Sequence, residues 1–285
     1  MKKILILGSS GLLGLNLFKF LSKKKEYKII RFKRRKNKNL SNYFFCKNYL
    51  KKKKIDIIIN LSAITDVDEC EKNFNKAKEI NYKIVKNISR TISKNNLDIF
   101  LIQLSTDQFY NRFKNNSENY IKLVNNYSKS KYLAEQEAIK INSTILRTNF
   151  FGRSMNKKRF SFSDWIYKKL KSQQKINLAD DILFSPLSII SVCKLIFLTL
   201  KKKYNGIYNI GSKKGFSKYQ FGIKFAKKLN LQKNLIKKVS YNDISFYAKR
   251  NKDMRMKLKK FENKFKYKFR SLDNEINEVI KDYKK

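Results

Sequence analysis

The chain has 285 residues, 67 of them Lys or Arg against 22 Asp or Glu, for a formal net charge of +45. Hydrophobic residues make up 42% and aromatics 14%, enough to bury a sizeable core, which excludes a disordered polycation. Histidine is absent, which removes Ser-His-Asp and Cys-His catalysis, His bases and His metal ligands in one step.

Residues 4–7 are a continuous apolar run, the pattern of a parallel strand buried on both faces. Gly8, Gly11 and Gly14 follow, and then Leu13, Leu17, Phe20 and Leu21 recur at helical spacing: strand, glycine turn, helix. Met1-Lys2-Lys3 ahead of this run resembles the start of a signal peptide, but glycines and serines interrupt it and no small-residue cleavage site follows. Further strands are predicted over 27–32, 56–61, 97–104 and 143–147, with a long helix over 67–93 and another over 127–141. Strands alternating with helices mean βαβ units and a parallel sheet. Beyond Gly152 the rhythm loosens: helices are predicted over 160–172, 187–200, 217–229 and 272–283, and a strand over 206–211. The predicted fold class is α/β, a Rossmann-like doubly wound parallel sheet over 1–152 with a smaller C-terminal substrate lobe over 153–285, some of whose segments return to the sheet.

The lysine runs at 23–25, 51–54 and 201–203 are scattered between apolar segments and form no single stripe or tail. Together with few Gly (8) and Pro (1) and many Phe (22) and Tyr (16), they fit compositional bias on a solvated surface. No specific nucleic-acid partner is expected. The longest apolar candidate, 187–200, is short and carries Lys194, so no membrane insertion is expected. Cys46, Cys70 and Cys193 are far apart and show neither a disulfide framework nor a metal pattern, so the cytoplasm is the expected location and no metal site is assigned.

A glycine turn between a first strand and a helix lets backbone approach a pyrophosphate, and the helix N-terminus attracts its charge. The spacing is G-x-x-G-x-x-G, and Ser10, Leu12 and Leu13 belong to the same turn. An acid at the end of the second strand would hold a ribose diol and repel a 2′-phosphate. The chain has Arg31-Phe32-Lys33-Arg34-Arg35 there, which favours NADP(H), with NAD(H) as the alternative. Tyr127 and Lys131 stand four apart on one helix face, where an ammonium can favour tyrosinate and lower the phenol's pKa. Ser105-Thr106-Asp107 ends the strand predicted over 97–104, at the edge where ligands of doubly wound sheets bind. A hydroxyl there can stabilise charge developing on a substrate carbonyl oxygen.

With these motifs on the page, the chain resembles the extended short-chain dehydrogenase/reductase family, and within it the dTDP-4-dehydrorhamnose reductases and related sugar-nucleotide reductases. The resemblance takes in the glycine turn, Asn60-Leu61-Ser62-Ala63, Asn81, Ser105 to Tyr110, Tyr127-x-x-x-Lys131, Leu146 to Gly152, Phe184-Ser185-Pro186 and Gly206 to Gly211. It implies reduction of the C4 keto group of a nucleotide-activated deoxysugar. Tyr127 would be the proton donor, Lys131 would bind the nicotinamide ribose, and Thr106 with Ser105 would bind the carbonyl oxygen. It further implies cofactor contacts from Leu61, Ser62, Ala63, Thr65, Asn81 and Thr148. Substrate contacts would come from Asp107, Phe109, Arg147, Asn149 and Phe150. A homodimer is compatible with the family. Dehydratases of the family carry Asp-Glu after the Thr; here Asp107 precedes Gln108, which counts against dehydration. An epimerase and a non-catalytic, NADP-binding regulatory subunit both remain open at this stage.

Overall fold

Along the first strand, Lys2–Leu7, Ile4 and Ile6 face one layer and Leu5 and Leu7 the other, and all four are fully buried. This period-two alternation with both faces apolar gives a sheet covered by helices on each side. The computed structural model describes residues 1–34, 39–113, 116–156 and 159–284. Its main sheet has six parallel strands in the spatial order Gly206–Asn209, Ser143–Thr148, Phe100–Thr106, Ile57–Asn60, Lys2–Leu7, Tyr27–Arg31. The winding reverses between Lys2–Leu7 and Ile57–Asn60, and such a switch point opens a crevice beyond the C-terminal strand ends.

The helix Leu12–Leu21 buries Leu13, Leu17 and Leu21 on one face of the sheet, beside Ile189–Lys202. On the other face Ile84–Lys94 buries Ile84, Val85, Ile88 and Ile92 against Leu5, Leu7 and Ile58. A separate core gathers Phe151, Ile166, Phe184, Phe221, Phe225 and Ile276 in the C-terminal part. The chain thus returns to the main sheet after residue 152, through Ile189–Lys202 and the edge strand Gly206–Asn209.

Within the first 100 residues, two elements depart from the sequence reading. The long helix predicted over 67–93 is broken into Val67–Lys72, Phe74–Ala77, a π-helical turn at Lys78–Lys83 and Ile84–Lys94. Asn73 makes the break: it leaves helical geometry (φ −139°) and its side chain accepts from the Lys76 N–H. The helix Tyr43–Lys53 was not foreseen, because its C-terminal half is mostly lysine and it fully buries only Cys46 and Leu50.

Candidate active site

The glycine turn is closed on itself. Gly8 has φ +72°, and a Cβ there would stand 2.8 Å from the Leu61 carbonyl. A Cβ on Gly14 would lie 2.2 Å from the Gly8 oxygen, so the helix Leu12–Leu21 can seat itself this close to the turn only without a side chain. The cradle so formed leaves room for a phosphate beside the helix N-terminus, and these residues fit a dinucleotide. A cavity of about 810 Å³ runs from Gly8, Ser10 and Gly11 past Leu61, Ser62, Ala63 and Thr65 to Phe32, Lys33 and Arg34.

Arg31 turns away from this cavity. Its guanidinium donates to the Ser9 carbonyl (3.3 Å) and lies over the Phe18 ring (4.6 Å); the described cations that line the cavity are Lys33, Arg34, Lys76 and Arg159, with Arg34 paired to Glu79 (3.1 Å) and Lys76 to Glu69 (2.8 Å). Arg35 lies outside the described residues. Asn81, from the π-helical turn, sits behind the cofactor wall. Its Oδ1 accepts from Ile64 N–H (2.8 Å), and its Nδ2 donates to the Ile64 carbonyl and the Ser130 hydroxyl. It therefore shapes the loop carrying Ala63 and Thr65 and is not among the described residues lining the cavity.

A second cavity of about 390 Å³ adjoins the first and shares Gly8, Gly11, Leu61, Ala63 and Thr65 with it. It brings Leu12, Leu13 and Gly14 together with Ser105, Thr106, Asp107, Tyr127, Lys131, Thr148, Asn149 and Phe150. Ser105 and Thr106 end the strand Phe100–Thr106, and the Ser105 hydroxyl is buried without a partner. The helix Asn126–Ala138 starts at a capping box, Asn125 accepting from Ser128 N–H (2.8 Å), which fixes Tyr127 in its first turn. Asn125 also donates to the Lys249 carbonyl, and Glu71 accepts from Asn126 N–H, so that turn is tied to both halves of the chain.

The electrostatics differ from the expectation drawn from spacing. Burial raises the Tyr127 pKa, with only the Thr106 hydroxyl working against it; Lys131 does not lower it. The Lys131 ammonium is directed at the Leu104 carbonyl (2.7 Å), and burial pulls its pKa down to about 8. A buried line of amides holds that carbonyl in place: Asn60 donates to Gln103 (2.8 Å) and Gln103 to the same Leu104 oxygen (2.9 Å). Gln103 was not singled out from the sequence, because its neighbour on the next strand is visible only in the folded sheet.

Two predicted substrate contacts fall elsewhere. Arg147 is 1% exposed; it pairs with Glu135 (2.6 Å) and donates to Tyr110 Oη (2.9 Å) and the Glu118 carbonyl (2.7 Å). Phe109 is fully buried under that guanidinium, 5.0 Å from its ring centre. Both pack against the helix Asn126–Ala138 and are not among the described residues lining the cleft. Asp107 does reach the cleft, where it accepts from Asn149 (3.0 Å) and burial raises its pKa.

A glycine cradle opening onto a buried Tyr-x-x-x-Lys and a strand-end Thr defines an extended short-chain dehydrogenase/reductase-like protein. The chain belongs to the RmlD substrate binding domain family, whose family model matches residues 1–285. It is 26% identical over 230 residues to the spore coat polysaccharide biosynthesis protein SpsK of Bacillus subtilis (strain 168), covering 78% of this chain and 77% of that one. It is 24% identical over 283 residues to the dTDP-4-dehydrorhamnose reductase of Aggregatibacter actinomycetemcomitans, covering 93% of this chain and 94% of that one. Its fold matches a solved dTDP-4-dehydrorhamnose reductase from Bacillus anthracis str. Ames in complex with NADP, with a TM-score of 0.90 at 22% identity over 99% of this chain and 100% of that one.

Proposed function

We propose that this chain reduces the C4 keto group of a nucleotide-activated deoxysugar, dTDP-4-dehydrorhamnose to dTDP-rhamnose, with NADPH. The observation that carries the reading is the convergence of Thr106, Tyr127 and Lys131 in one cavity that continues into the glycine cradle. The bound nicotinamide supplies the hydride. Tyr127, kept protonated by burial, gives its proton to the substrate oxygen, and the Thr106 hydroxyl hydrogen-bonds the same oxygen as its charge grows. Lys131 lies one helical turn beyond Tyr127 in the same cavity, where its ammonium would hold the nicotinamide ribose. Position 108 is an amide whose Nε2 faces the Met254 sulfur, so the acid that elimination requires is not supplied there.

No described helix is long and apolar enough to cross a membrane. A cytoplasmic location and a homodimer are part of the same proposal.

The test is NADPH consumption in the presence and absence of the keto sugar nucleotide, with NADH in parallel. Oxidation is expected only with the sugar, and NADPH is expected to be the better donor. A Lys33→Glu/Arg34→Glu double variant should lose at least about tenfold of that preference, because two cations become anions beside the 2′-phosphate. An unchanged NADPH/NADH ratio in the variant would contradict the assignment of Lys33 and Arg34.

A further inference from the structure

The lysine runs at 23–25, 51–54 and 201–203 are scattered in the sequence and gathered by the fold. In a sheet wound as βαβ units each helix runs antiparallel to the strands and ends where the next strand begins. The helix Leu12–Leu21 leads into Tyr27–Arg31, Tyr43–Lys53 into Ile57–Asn60, and Ile189–Lys202 into Gly206–Asn209. All three runs therefore fall at the N-terminal edge of the sheet, and Lys94 joins them ahead of Phe100–Thr106. Contacts connect the runs. Lys3 Nζ donates to the Lys53 carbonyl (3.5 Å), and Lys3 stands beside Lys28 in the strand register. Lys24 and Lys201 share the Phe197 ring, at 5.0 and 4.7 Å from its centre. Phe197 packs edge-on against Tyr27 (6.4 Å), the register partner of Lys2. The crevice holding the glycine cradle and Tyr127 opens at the opposite, C-terminal ends of the same strands.

A lysine at a helix C-terminus meets the negative end of the macrodipole, and one per helix would serve that purpose. Runs of three and four exceed it. Among the described residues, none of the lysines in these runs forms an ion pair. The acids on the connections at this edge are Glu26, Asp56 and Asp98, and Asp56 already accepts the Lys3 N–H (2.7 Å). Every cation in the runs is Lys, a hydrated point charge without the planar fork with which Arg reads a phosphate. The rings of Phe20 and Phe197 lie under Lys24 and Lys201, so they offer no open face on which a nucleic-acid base could stack. Many unpaired lysines without a fork or a stacking platform suit a diffuse field of negative charge. We propose that this edge is an adsorption surface for an anionic lipid bilayer, with the lysines against the headgroups and the crevice facing water. The contact is peripheral, and each lysine brought to such a surface strengthens it roughly fivefold.

Co-sedimentation of the full chain with phosphatidylcholine vesicles, with and without phosphatidylserine, tests this at about 0.15 M salt. An edge variant carries Lys25→Gln, Lys28→Gln, Lys52→Gln and Lys202→Gln. A control variant of equal net charge carries Lys171→Gln, Lys175→Gln, Lys227→Gln and Lys237→Gln in the C-terminal part, and all of these side chains are exposed. Thermal unfolding by circular dichroism verifies that both variants are folded. The wild-type chain is expected to bind only the serine-containing vesicles and to be released by higher salt. The edge variant should partition at least about tenfold more weakly and the control within about threefold of wild type. An equal loss in both variants would overturn the proposal, because net charge and not this edge would then set binding. So would equal binding to phosphatidylcholine alone, or no binding to either vesicle. A duplex DNA titration run alongside closes the other route: an edge variant that loses DNA binding while its vesicle binding is unchanged would reassign the edge to nucleic acid.

Discussion

Replacing Tyr127 by Phe is expected to lower the rate of keto-sugar reduction by about two to four orders of magnitude while leaving NADPH binding intact. The ring keeps its place, because the capping box at Asn125 and packing against Cys70 and Ala77 fix it independently of the hydroxyl. Only the proton donor is removed. Single-turnover NADPH oxidation, with calorimetric cofactor binding alongside, checks both halves of this statement. A companion effect follows from Lys131. Its pKa is lowered from 10.5 to about 8, chiefly by burial, so its ammonium loses the proton as pH rises through that value. The cation that would hold the nicotinamide ribose goes with it, and turnover should fall on the alkaline side. A Lys131→Arg variant, protonated throughout, should lack this limb in its pH–rate profile. An identical alkaline limb in that variant would assign the titration to another group.

The second large effect is on stability. Glu135 is fully buried and receives Arg147 through Nε (3.0 Å) and Nη2 (2.6 Å). Removing one member of such a pair leaves an uncompensated charge in the core, at a cost of about 3–5 kcal/mol. Glu135→Ala is therefore expected to lower Tm by on the order of 10 °C. Glu135→Gln, which keeps an acceptor, should fall between the two. Thermal unfolding followed by circular dichroism reads the difference. Arg147 lies on the strand Ser143–Thr148 and Glu135 on the helix Asn126–Ala138, one turn beyond Lys131. The same substitution should therefore loosen Lys131 and depress turnover in the protein that remains folded. A Glu135→Ala protein with wild-type Tm would mean that Arg147 finds another buried partner.

The legible part of this protein is the part that is local in sequence. The glycine turn, the apolar strands and Tyr127-x-x-x-Lys131 are each set by residues a few positions apart, and the structure brings them to one crevice. The helix predicted from residue 217 starts there for the same reason, the Ser217 hydroxyl accepting from Gln220 N–H. What escaped depends on distant pairing. Gln103 is tied to Asn60 across the sheet, and the lysine runs meet only at the sheet's edge. The strand Ile176–Ala179 finds its parallel partner sixty residues on, at Ile236–Val239, whose exposed lysines hide the pattern. The roles expected of Arg31, Asn81, Phe109 and Arg147 moved for one shared reason. Each is polar or aromatic beside the cleft, and each is engaged by a partner within the protein, Ser9, Ile64 and Ser130, Arg147 and Glu135 respectively. The pKa of Tyr127 shows a comparable limit: spacing places the ammonium near, but burial decides the direction.

The most direct test of the account is the fate of the hydride. With dTDP-4-dehydrorhamnose and NADPH deuterated on the transferring face of its nicotinamide, the account predicts a dTDP-deoxysugar carrying deuterium at C4, one per NADPH consumed, formed by Tyr127→Phe about two to four orders of magnitude more slowly. NADPH consumed without deuterium at C4, or a deuterated product formed equally well by Tyr127→Phe, would contradict it.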